Sequence, residues 1–134
     1  MTYTADAVAL LVYLVDSLPE TADSVFAEAE AGETIIQAPS TAIAEVFYAI
    51  SRDKDVRGVR LDGSPDKVRQ ALLGNGPVSV SPVSEQELAE YVDVIDDFNI
   101  HDGLIVASHY ARGTEAVITS DRVIRDHGVP TIWD

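Results

Sequence analysis

The chain has 134 residues, the size of one domain, and a hydrophobic share of 46% that suffices for one ordinary core. It has no cysteine, which excludes a disulfide framework, a thiolate zinc site and a cysteine nucleophile. The net charge of −14, from 23 acids and 9 bases, argues against broad nucleic-acid binding. It suits instead a solvated acidic surface in a salt-rich cytoplasm, as in a halophile. His101, His109 and His127 lack the H-E-x-x-H spacing of a zinc protease, so a metal would be held by oxygen, which favours Mg²⁺ or Mn²⁺. No apolar run approaches the length of a membrane span, and Met1–Asp6 lacks the basic start and apolar stretch of a signal peptide. The expectation is a cytoplasmic protein with no membrane association.

In chain order, residues 2–5 read as a short strand ending at Asp6, and Ala7–Asp16 as the start of an apolar helix. Pro19 suits the first turn of a second helix, which Gly32 ends. Thr34–Ala38 reads as a buried strand. A helix then begins with Ser40 as N-cap, and its apolar face is Ile43, Val46, Phe47 and Ile50. Ser64-Pro65 opens a helix running to about Gly74, Gly76-Pro77 is a turn, and Val78–Val80 alternates as a strand. Ser84–Glu87 has a capping-box pattern, and its helix is expected to pack Leu88, Tyr91, Val92 and Ile95 on one face. Asp102 opens a very apolar helix that ends at Gly113. Ala116–Thr119 is a strand ending at Ser120-Asp121, a short helix follows, and Pro130–Trp133 is a last strand. Strands alternating with helices predict a three-layer α/β/α sandwich with a central, mainly parallel sheet, in a single domain over residues 1–134.

The charge is unevenly spread. Segments 16–33 and 84–99 each carry six acids and no base, whereas six of the nine bases lie between Arg52 and Arg69. Arg52, Lys54, Arg57 and Arg60 are therefore the candidates for contacting phosphate. The plainer reading of that stretch, which also holds Asp53, Asp55, Asp62 and Asp66, is a mixed-charge surface loop.

Four acids draw attention by position. Ligands of open parallel sheets bind beyond the carboxyl ends of the strands, and Asp6 and Asp121 each end a strand. Asp102 sits at a helix N-terminus, and Glu45 interrupts an apolar window at the start of the helix that leaves Thr34–Ala38. Each aspartate is also explained as a helix cap; the case rests on four acids at one predicted edge. Carboxylates so gathered stay ionised at neutral pH only beside a cation. A hard divalent ion keeps sites for water and phosphate, which implies metal-assisted hydrolysis of a phosphodiester.

The layout resembles the PIN-domain family and, within it, the VapC-type ribonuclease toxins of toxin–antitoxin pairs. The resemblance rests on Asp6-Ala7-Val8-Ala9-Leu10-Leu11, Ala44-Glu45-Val46, His101 through Ala107, Ile118 through Asp121, and the closing Thr131-Ile132-Trp133. It implies that Asp6, Asp102 and Asp121 hold the metal, that Glu45 acts directly or through a water, and that Thr119 or Ser120 orients a carboxylate. It also implies an RNA substrate, an antitoxin partner and a homodimer. One departure is Val8, where the family often has Ser or Thr; Ser40 or Ser120 could supply the missing hydroxyl. Val8 keeps open a protein-binding module that has lost catalysis, and a housekeeping RNA-processing nuclease is a further alternative. A signalling receiver is disfavoured because no lysine follows Lys67, and a serine hydrolase because G-x-S-x-G is absent.

Overall fold

Five short strands pair in parallel throughout: β1 (Thr2–Ala5), β2 (Ile35–Pro39), β5 (Val78–Ser81), β6 (Val117–Ile118) and β7 (Thr131–Ile132). The structure is a computed structural model describing residues 1–61 and 63–134; Asp62, one acid of the mixed-charge stretch, lies outside them. The sheet order is β5-β2-β1-β6-β7, so the chain winds outward from β1 on one side and then crosses to the other. The crossing makes β1 and β6 the pair where the winding reverses, and the crevice beyond their carboxyl ends is where such sheets bind ligands.

The helices are α1 (Ala7–Leu14), α2 (Glu20–Glu30), α3 (Ser40–Ser51), α4 (Pro65–Arg69), α5 (Glu85–Val94), α6 (Ile100–Arg112) and α7 (Arg122–Asp126). They flank the sheet in the expected α/β/α arrangement. The core joins both sides: Leu10 and Val12 of α1, Phe26 of α2, Val46 and Ile50 of α3 and Val106 of α6 pack with Ile36 and Val117 of the sheet. The nearly continuous apolar run Ala9–Val12 is buried because α1 is covered on most sides. No helix is long and apolar enough to cross a membrane among the described residues.

Several expectations need correction. Pro39 rather than Ser40 precedes α3, with no side-chain cap, since β2 extends to Pro39 and Ser40 is already helical. Asp102 does not open α6: the helix starts at Ile100, and Asn99 caps it by accepting from Asp102 N at 2.9 Å. α4 does not run unchanged to Gly74 but continues from Gln70 as a π-helical turn. Of the expected packing face of α5, Tyr91 does face the molecule, but Leu88, Val92 and Ile95 are exposed. Glu87 and Val94 share the inward side with Tyr91, at positions i, i+7 and i+4. Tyr91 lies on Gly103 of α6, where a Cβ would come within 2.7 Å of the ring.

The mixed-charge stretch holds a hairpin that the sequence reading had as loop. β3 (Asp55–Val56) pairs antiparallel with β4 (Val59–Arg60) across the two-residue turn Arg57-Gly58. Both turn residues have positive φ, 52° and 80°, the sense that a tight hairpin turn requires. Glycine adopts it freely, whereas Arg57 does so against its side chain at a cost of about 1–2 kcal/mol.

Candidate active site

β1 delivers Asp6 to the reversal point, where it caps α1: Oδ1 accepts from Ala9 N at 2.8 Å. Its Oδ2 accepts from the Thr119 hydroxyl, which itself accepts from Asp121 N at 3.0 Å. Asp121 follows β6 and caps α7 through Oδ1 and Val123 N at 2.8 Å. Capping and membership of the cleft are therefore compatible, because each aspartate uses one oxygen for its helix.

Asp6 is only 7% exposed. Burial raises its pKa to about 6; hydrogen bonds from Thr119 and Ala9 oppose this, and the charges of Asp121 and Glu45 add to it. Asp102, in the first turn of α6, is likewise raised to about 6. Burial is the largest cause, followed by a hydrogen bond and charge from Asp121 and then the charge of Asp6; Asn99 Nδ2, 3.2 Å from Oδ2, opposes. Glu45 projects from α3 with its Oε1 2.5 Å from His101 Nδ1, and is 39% exposed. Asp6 thus lies within electrostatic reach of Glu45, Asp102 and Asp121, and Asp102 within reach of Asp121.

Three of the acids, Asp6, Glu45 and Asp102, line a small recess of about 50 Å³ with Val8, Thr41 and His101, whereas Asp121 lines a neighbouring recess. That volume holds an ion and a few waters. Among the described residues no three His, Asp or Glu side chains are gathered at chelating spacing. The two observations are compatible, because carboxylates repel over distances longer than a ligand bond. The donors are hard oxygens, and Mg²⁺ takes one or two carboxylates while keeping waters, so the residues present fit such an ion without a closed cage.

Two larger recesses accompany this one. A groove of about 790 Å³ shares Thr41, Glu45 and His101 with it and continues along α3 to Tyr48, Arg52 and Lys54. A separate recess of about 400 Å³, joined to the acidic one through the Thr119–Asp6 hydrogen bond, is lined by Thr119, Ser120, Asp121, Arg122, Arg125 and Trp133, among others. The four candidate phosphate-contacting bases divide. Arg52, stacked over Tyr48 at 4.8 Å, and Lys54 line the groove, whereas Arg57 lies over Trp133 at 5.9 Å. Arg60 pairs with Asp53 at 3.4 Å.

Of the two candidate orienting hydroxyls, Thr119 holds Asp6, while Ser120 is exposed and lines the Trp133 recess. Ser40 is exposed; the hydroxyl-bearing residue that lines the acidic recess is its neighbour Thr41. Thr41, the His101 contact to Glu45 and the Trp133 recess were not assigned from sequence. The adjacency of His101 to Asp102 was the one available signal for the histidine.

No family model matches the sequence, and no curated protein does either. Solved structures do. A chain of VapBC2 from Rickettsia felis, solved bound to a DNA fragment from its promoter, superposes with a TM-score of 0.74 at 14% identity, covering 100% of both chains. VapC20 of Mycobacterium tuberculosis, a toxin that cleaves the sarcin–ricin loop, gives 0.68 at 14% identity over 98% of this chain and 99% of its own. The fold is PIN-like. Asp6 and Asp121 follow β1 and β6 at the reversal, and Glu45 of α3 and Asp102 of α6 each lie close enough to Asp6 for their charges to interact with it.

Proposed function

We propose that the chain is a Mg²⁺- or Mn²⁺-dependent endoribonuclease, the toxin of a type II toxin–antitoxin pair. One observation carries the reading: Asp6, Glu45, Asp102 and Asp121, from four separate segments, converge where the sheet winding reverses, and the charges acting most on Asp6 and Asp102 are those of other carboxylates. The VapC-like fold supports it.

Asp6, Asp102 and Asp121 would hold the ion, with Glu45 acting directly or through a water. When bound, the ion supplies Lewis acidity and an activated water for phosphodiester hydrolysis. Thr119 fixes the orientation of Asp6, and its contact to Asp121 N keeps both aspartates in register. His101 holds Glu45 at the mouth of the recess. Arg52 and Lys54 provide phosphate contacts along the groove that leaves it. A cognate antitoxin, a homodimer and a cytoplasmic location belong to the same reading.

The test is cleavage of a mixed RNA pool at high salt with Mg²⁺, with Mn²⁺ and with chelator. Asp6→Asn and Asp102→Asn are each expected to lower cleavage by at least about 100-fold, since each removes a charge from the ion's ligands. Undiminished cleavage by both variants would reject the roles. Metal loading competes with protons on carboxylates raised to about 6, so the Mg²⁺ concentration needed for half activity rises below pH 6.

Val8 supports a second reading, a PIN-like module without catalysis: it puts an apolar, partly exposed side chain in the wall of the acidic recess. Absence of any Asp6-dependent cleavage would favour it. A neighbouring small gene for a DNA-binding protein separates a toxin from a housekeeping nuclease.

A further inference from the structure

We infer that the Trp133 recess is a nucleotide subsite, in which a base of single-stranded RNA stacks on Trp133 while Arg122 and Arg125 hold the adjoining phosphate. The inference rests on the nuclease reading for the identity of the strand, and on its own observations for the site.

The first observation is composition. The recess has about 400 Å³, enough for a nucleotide, and brings one aromatic ring and two exposed arginines beside Asp121 of the acidic cluster. Aromatic faces bind any base, and guanidinium groups bind phosphate bidentately. Asp121 and Asp134 also line the recess and repel phosphate, so the backbone is expected on the arginine side and the base over the ring.

The second is how a scarce charge is distributed. The chain has nine bases in all. Among the described residues, Arg60, Arg69, Arg112 and Arg125 have carboxylate partners, the last at 3.7 Å from Asp126, whereas Arg52, Lys54, Arg57, Lys67 and Arg122 have none. Four of these five lie at the two larger recesses: Arg52 and Lys54 in the α3 groove, Arg122 in the Trp133 recess and Arg57 over the Trp133 ring.

The third is position. Arg57 reaches over Trp133 from the β3–β4 turn, 5.9 Å from the ring centroid and so short of stacking contact. An entering base would displace this guanidinium from the ring face toward the phosphate. The strand would then run from Trp133, across Asp121 and Asp102, to the Glu45–His101 mouth and the Tyr48 groove.

Trp133 is the chain's single tryptophan, so its emission reports this recess alone. The probe is a phosphorothioate hexauridylate, which resists cleavage, beside a base-free ribose-phosphate chain of equal length, both in Mg²⁺. Saturable quenching by the hexauridylate, and little by the base-free chain, is expected. Trp133→Phe tests the ring, but part of the ring packs on the core; Arg122→Gln/Arg125→Gln changes two exposed residues and is expected to weaken binding about tenfold with a shallower salt dependence. Unchanged emission while anisotropy shows the RNA bound, equal quenching by the base-free chain, or full affinity in the double arginine variant would each overturn the subsite. A response to a protein partner but not to RNA would also overturn it. Asp6-dependent cleavage with silent tryptophan emission leaves the nuclease standing and removes the subsite. Base-dependent quenching without Asp6-dependent cleavage does the reverse.

Discussion

The two oxygens of Asp6 have different duties: one begins a helix, and the other meets Thr119 at the mouth of a shared crevice. Burial of the charge is costly without a cation, and the two hydrogen bonds offset only part of that cost. Below pH 3.8 the group is protonated folded or unfolded, and its burial costs nothing. Between 3.8 and about 6 the unfolded chain has released the proton that the folded chain keeps, so stability falls as pH rises; above about 6 the full loss is present. The gap amounts to about 3 kcal/mol. Asp6→Asn is therefore expected to stabilise the chelator-treated protein at pH 7.5 by about 2–3 kcal/mol, and by much less at pH 4.5, as read from urea midpoints. Mg²⁺ should raise the melting temperature of the parent more than that of the variant. Equal midpoint differences at both pH values would contradict the assignment. Asp6 and Asp121 were legible in sequence because both follow strands. Thr41, His101 and Trp133 were not, because what they face comes from other segments and no local spacing encodes it.

At the scale of elements, α5 and α6 are tied by an ion pair whose acid is buried and whose arginine is partly exposed. Glu87 is 1% exposed, and its Oε1 accepts from Arg112 Nε at 2.8 Å, while the same arginine donates to the Pro82 carbonyl at 3.0 Å. Arg112→Leu leaves an uncompensated buried carboxylate and is expected to cost about 3–5 kcal/mol in urea unfolding. Adding Glu87→Leu should restore most of that, and a double variant as unstable as the single would refute the account. This pair also shows why the α5 face was misread. Sequence periodicity favours the stripe Leu88, Tyr91, Val92 and Ile95; Tyr91 does pack on Gly103, but with Glu87 paired beside it the helix is rotated by about one position and the other three face outward. The strands and the longer helices were legible because turn residues bound them: Gly32, Gly113 and the Gly76-Pro77 turn all lie between elements. The β3–β4 hairpin was not, because two-residue strands leave no alternation to detect.

For the whole molecule, the balance of 23 acids to 9 bases sets how salt acts. Self-repulsion of the folded surface weakens as the screening length falls from about 10 Å at 0.1 M to about 3 Å at 1 M. The melting temperature in chelator is accordingly expected to rise between 0.1 and 2 M KCl, and a flat or falling trend would remove the reading of a chain suited to a salt-rich cell. Phosphate contacts weaken over the same range, so the few bases at the larger recesses matter more here than on a basic surface. The acidic total was legible from composition. The concentration of carboxylate-free bases at two recesses was not, because it depends on which arginines find partners in space.

The double employment of the aspartates has a consequence for descent. On the nuclease reading, a lineage that abandons hydrolysis still needs Asp6 and Asp121 to start α1 and α7, so both are expected to persist by stability selection alone. Glu45 begins no helix, and it pairs with the exposed His101. Genetic drift should therefore reach position 45 first, which makes that position the better marker of whether a descendant still cuts.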